Sequence, residues 1–168
     1  MKTKMTGLTD PKAGGMSAKL ESSLSQIASL SKPLNEASDQ LSKQLADIES
    51  ALNSYELGIR AWLKDPLVSE EVESENAGWP ILHDVYRLGY DKYNRKWGLL
   101  VCSGIEEFGE EYIGFLRDAP REIRLKAVDK IPELVNLLVQ QLAKTTEEAS
   151  KKAAQAEEIV AALSKKQR

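Results

Sequence analysis

From Leu20 onward one side-chain row returns at alternating intervals of four and three residues. It runs Leu20, Leu24, Ile27, Ser31, Leu34, Ser38, Leu41, Leu45, Ile48, Leu52 and Tyr55. A row with that spacing is a heptad seam, the pattern of a long helix that packs along one stripe, held here for about five heptads. The far end of the chain repeats it. Val135, Val139, Leu142, Thr146, Ala149, Ala153, Ala156, Val160 and Leu163 alternate by four and three as well. Two long helices on either side of a middle segment constrain the fold more than any other feature of the chain.

The two rows match in size when run antiparallel. With Leu24 opposite Leu163, Ile27 meets Val160, Leu45 meets Leu142, Ile48 meets Val139 and Leu52 meets Val135. In the middle Ser31, Leu34 and Ser38 meet Ala156, Ala153 and Ala149, so small faces small. Close-packed interiors favour such matching, although a shift of one heptad also keeps the seams opposed. Each flank covers roughly 35 residues, so the reading is an antiparallel coiled-coil stalk about 50 Å long. Leu30, Ala37, Leu138 and Ile159 lie beside the seam on one edge, where a two-stranded coil usually carries charge. They predict a second seam and a homodimer that forms a four-helix bundle.

Prolines and glycines set the expected boundaries. Residues 1–16 contain Gly7, Pro11, Gly14 and Gly15 and read as a flexible tail. The first helix is expected over 17–57, with Pro33 either kinking it or marking a restart capped by Ser31. Asp118 and Pro120 suggest a short helix over 119–130, and Pro132 the first turn of a second long helix over 131–166.

The middle segment, 58–118, is different material. All 3 Trp and all 5 Tyr of the chain lie between Tyr55 and Tyr112, and the flanks have no aromatic side chain. Bulk of that kind builds a globular core, so the fold class is α+β, mostly α, with a small β head. Residues 58–64 alternate Ile59, Ala61 and Leu63 against Arg60, Trp62 and Lys64, which suits a strand, with a continued helix as its rival. Residues 65–80 form an acidic loop. The run from His83 to Gly104 reads as a β-hairpin with its turn at Asn94-Arg95. Tyr86, Leu88 and Tyr90 share one face, and Trp97, Leu99 and Val101 share one face of the return strand. Residues 105–117 fit a short helix or a loop. The expectation is a three-stranded antiparallel meander.

Little in the chain carries reaction chemistry. His83 is the only histidine and Cys102 the only cysteine, so neither a cysteine-based metal site nor an intramolecular disulfide can be assembled. Cys102 lies in an apolar strand, where a cysteine behaves as a small hydrophobe. The acidic run Glu70–Glu75 lacks the spacing of a calcium loop. Glu106, Glu107, Glu110 and Glu111 lack the histidines of a di-metal site. No catalytic, metal or cofactor site is assigned. The net charge of -3 demands no polyanionic partner, no apolar run is long enough for a membrane span, and the expected address is cytoplasmic.

The reading that remains is a non-enzymatic interaction or scaffold protein, self-associating through the stalk and presenting the head to a protein partner. Trp79, Tyr90, Tyr93, Arg95, Lys96 and Trp97 form the candidate contact surface, since Trp, Tyr and Arg are the common anchors of interfaces. The alternative is a nucleic-acid-binding accessory protein. It rests on the hairpin 85–97, where Arg87, Lys92, Arg95 and Lys96 interleave with Tyr86, Tyr90, Tyr93 and Trp97.

Overall fold

A computed structural model of the chain describes residues 13–72, 82–105 and 110–166. The order is α1 (Ala13–Ser54), β1 (Ala61–Trp62), β2 (Val68–Val72), β3 (Leu82–Tyr93), β4 (Lys96–Ile105), β5 (Glu110–Phe115), a 3-10 turn (Leu116–Asp118) and α2 (Arg121–Lys166). The fold is mixed, with two helices and one antiparallel sheet. The chain divides into two compact units, Met1–Leu41 and Ser42–Arg168.

In the first unit the described residues are the leading part of α1. It is helical through Pro33, so the proline does not end the helix. A proline removes one N–H, and the ladder resumes on either side. Just before it, Ser29 and Ser31 bond back to the Gln26 and Ala28 carbonyls. Helix begins at Ala13, inside the expected tail, and residues 1–12 lie outside the described residues.

The second unit is built on a five-stranded sheet rather than a three-stranded meander. Strand order is β1-β3-β4-β5, and β2 pairs with β3 on the same side as β1. β1 and β2 are one edge strand, interrupted. Leu63 N–H donates to the Leu88 carbonyl and Leu67 N–H to the Tyr86 carbonyl, while Lys64-Asp65-Pro66 loops out between them. Pro66 has no N–H to give a ladder, and the loop is where that costs nothing. The expected acidic loop 65–80 is therefore corrected in part: Val68–Val72 is strand, and 73–80 lies outside the described residues. The expected short helix or loop over 105–117 is corrected as well: Ile105 ends β4, Glu110–Phe115 is the strand β5, the 3-10 turn follows it, and 106–109 lies outside the described residues.

The hairpin forms as expected, with Tyr93 opposite Lys96 across a two-residue turn. Asn94 and Arg95 both have positive φ, 48° and 66°, the signature of a type I′ turn that matches the twist of its strands. Leu88 pairs with Val101 and Tyr90 with Leu99, which puts the expected apolar rows on a common face. Leu88, Tyr90 and Leu99 are almost wholly buried, with Ile123, Ala127, Ile131 and Leu134 of α2 in the same core. Each buried Leu or Ile among them contributes about 1.5–3 kcal/mol on burial.

α2 is one continuous helix from Arg121 and not two. Arg124 N–H donates to the Pro120 carbonyl, so Pro120 stands at the helix entrance, whereas Asp118 lies in the 3-10 turn. Pro132 sits inside α2. Its own side chain is exposed, and its neighbours Ile131 and Leu134 are core. Packing of that face outweighs one lost hydrogen bond.

The stretch of α1 from Ser42 belongs to this second unit. Arg124 donates to Ser42 Oγ, and Leu45 is buried. The helix stops at Ser54, and the chain turns through Glu56 and Gly58, both at positive φ.

Candidate functional site

The side chains around the turn end of the hairpin are organised by where β5 stops. Leu88 turns its polar backbone atoms toward β1, so Gly89 turns toward β4, and in β4 Leu100 faces β3 while Val101 faces β5. By the same alternation Trp97 and Leu99 also face the β5 side. β5 pairs only as far as Phe115, opposite Leu100. The outward backbone groups of Leu99 and Trp97 are thus left beyond its end. Side chains of α1 take over two of them. Glu49 Oε2 accepts from Leu99 N–H at 3.0 Å, and Asn53 Nδ2 donates to the Trp97 carbonyl at 3.0 Å. Buried backbone groups need such partners, and an (i, i+4) pair on one helix face has the reach to supply two of them.

The same two residues hold the surroundings together. Arg117 donates to Glu49 Oε1 at 2.8 Å and lies 4.4 Å from the centroid of the Phe115 ring. Tyr90 Oη donates to Asn53 Oδ1 at 2.7 Å. Burial, and next the Glu49 carboxylate, push the Tyr90 phenol above its ordinary value, which keeps it a neutral donor. Tyr90 stacks on Trp97 at 5.5 Å between centroids, and Tyr93 meets Phe115 edge-on at 5.7 Å. Gly98 is required here: a Cβ would come within 2.6 Å of Glu49 Oε2. Gly89 is required for a like reason, since the Trp62 ring lies 2.3 Å from where its Cβ would stand. Trp62 Nε1 in turn donates to Asp91.

A cleft of about 550 Å³ opens over this network, lined by Trp97, Phe115 and Leu57 with Lys96, Arg117, Glu49 and Glu56. Its central polar groups, on Glu49, Asn53 and Tyr90, already bond one another or the backbone. The arrangement suits holding a side chain of another molecule against Trp97 better than moving a proton.

The six residues of the expected contact surface are thus divided. Tyr90 is core, 1% exposed, and is corrected: its ring fills the hairpin's buried face and its hydroxyl is bound. Tyr93 and Trp97 are half-buried, and Arg95 and Lys96 are exposed at the turn. Trp79 lies outside the described residues. Arg87 is half-buried opposite Cys102.

Seam positions are divided too. Leu45 is buried, and Leu41, Ile48, Leu52 and Val135 are half-buried. Leu24, Ile27, Leu34, Val139, Leu142, Ala149, Ala153, Ala156, Val160 and Leu163 are exposed. Of the expected dimer edge, Leu30, Ala37 and Ile159 are exposed, but Leu138 is buried at 3% and belongs to the core of the second unit. Its neighbours Leu134 and Ile131, one turn and two turns earlier, face the same core.

Sequence reasoning missed Glu49 and Asn53. The signal was present, since both continue the face of Leu45 at steps of four, in the last turns before the helix ends. His83 stands opposite Glu71 on the β2 side, half-buried. Cys102 is buried, and its thiol is pushed up to about 11 by burial and then by the Glu111 carboxylate. Among the described residues no group of three or more His, Cys, Asp or Glu could hold a metal ion, and no helix is long and apolar enough to cross a membrane. No protein-family model, curated protein or solved structure matches the chain.

Proposed function

We propose that the chain is a non-enzymatic scaffold protein that self-associates through the apolar stripes of α1 and α2 and offers the hairpin end to a protein partner. One observation carries the reading. Leu24 and Ile27 on α1, and Val160 and Leu163 on α2, are 54–63% exposed, and on each helix the spacing puts its own residues in one row. Most helices in proteins draw their stability from packing such a face, and a contiguous exposed apolar stripe marks an association surface. The offered end carries exposed Arg95 and Lys96 beside half-buried Trp97.

Sedimentation equilibrium on the full chain tests the proposal. The expected mass is at least twice the 18.7 kDa of one chain. It falls when Leu24, Ile27, Val160 and Leu163 are all replaced by Ser, with the circular dichroism of the fold retained. A mass that these four substitutions leave unchanged overturns the reading.

A further inference from the structure

β5 is the outer strand of the sheet. Gly114 and Tyr112 turn their backbone groups toward β4, so Glu111, Ile113 and Phe115 turn theirs outward. Among the described residues no strand pairs with that outer side. Natural edges are commonly blunted by Lys, Pro or a bulge, and β5 has neither residue.

The strand also carries a knob and a hole. Tyr112 is 84% exposed, the most exposed large apolar residue described. Two residues on, Gly114 has nothing within 4 Å of where a Cβ would stand. A hollow of about 160 Å³ lies there, walled by Tyr86, Val101, Ser103 and Pro120. A cavity of about 150 Å³ is enough to hold a benzene ring.

We propose that β5 pairs antiparallel with β5 of a second copy, about a two-fold axis at Ile113. In that register Ile113 faces its own counterpart, and Tyr112 of each copy lies opposite Gly114 of the other, so each ring enters the other's hollow. Glu111 falls opposite Phe115 of the second copy, beside the Arg117 guanidinium that covers that ring. Knob and hole, and acid and base, are satisfied twice by one axis. A heterologous strand has no reason to match both. The surface is independent of the helix stripes, and a six-residue strand gives a small, reversible contact.

The test uses the full chain in which Leu24, Ile27, Val160 and Leu163 are already Ser, so that association through the helix stripes is weakened and the sheet edge is read by its own variants. We expect sedimentation equilibrium to find a concentration-dependent dimer. Gly114→Val has room within its own chain and suits a strand, but it fills the hollow, and it is expected to weaken that dimer at least tenfold with unchanged circular dichroism. A second readout fixes the register. With Cys102→Ser, Ile113→Cys is expected to form a disulfide dimer on mild oxidation, because facing residues lie about 5.5 Å apart at Cα. Tyr112→Cys is expected not to cross-link, because two copies of residue 112 stand on a diagonal of about 7–8 Å. A four-serine chain that stays monomeric into the hundred-micromolar range overturns the β5 proposal and leaves the helix reading standing. A dimer that four serines do not affect and Gly114→Val abolishes does the reverse.

Discussion

At the scale of single residues, Glu49 joins three elements through one side chain. It is 8% exposed, and its two oxygens serve Leu99 N–H and Arg117. Glu49→Ala orphans the Leu99 donor and removes two charge-assisted bonds, which is expected to cost about 2–3 kcal/mol in urea unfolding. Arg117 is more than a third exposed and rehydrates, so it adds no buried-charge penalty. Glu49→Gln keeps an acceptor for Leu99 and is expected to cost about half as much. Cys102 supplies the pH dependence. Its thiol titrates at about 11 in the folded chain against an ordinary 9.0, so the folded state disfavours the thiolate. The stability this contributes is complete below pH 9 and is lost as pH rises toward 11. The Tyr90 phenol, also raised, pushes in the same direction. Urea midpoints measured across that range are expected to fall with pH, and to fall less steeply in Cys102→Ala.

At the scale of elements, the clearest test lies in the β3–β4 turn. A type I′ turn needs positive φ at both central residues, and Arg95 supplies it at a steric cost of about 1–2 kcal/mol for a residue with a Cβ. Arg95→Gly makes the favoured Asn-Gly pair and is expected to raise stability by about 0.5–1 kcal/mol. At this size that is about 2–4 °C in the melting midpoint per kcal/mol, read by circular dichroism. The hairpin was legible because alternation, turn residues and matched apolar rows all agreed. β2 was not, because Val-Ser-Glu-Glu-Val reads as an acidic loop and becomes a strand only through β3 beside it. β5 hid for a related reason: two glutamates, a glycine and two aromatics have no clear period until β4 fixes them. Pro120 and Pro132 each look like a helix start, and only the first is one; the face of Ile131 and Leu134 carries α2 through the second. Of the site, the aromatic hairpin was visible in the sequence. The pair Glu49 and Asn53 showed there only as polar residues continuing the face of Leu45, since their role depends on where a distant strand stops.

At the scale of the whole molecule, burial is concentrated in one part of the chain. Among the described residues every buried hydrophobic one lies between Leu45 and Leu138, while α2 beyond Leu138 is exposed at each described position through Ser164. Along α1, positions 17–37 are exposed as well. Stability must then be graded. Amides of β3 and β4 should exchange only through global opening, while amides in those two helical segments open locally at little cost. In a self-associating chain the second class depends on concentration, because a partner that binds only the closed segment protects it by mass action. At tenfold above the dissociation constant the protection is about 1.4 kcal/mol, or roughly tenfold slower exchange. Hydrogen exchange is therefore expected to slow with concentration around Leu24, Ile27, Val160 and Leu163, with no change around Leu88 and Leu99. Fast exchange in those segments at every concentration would leave the apolar stripes with nothing to cover them, and helix-mediated assembly would have to be given up.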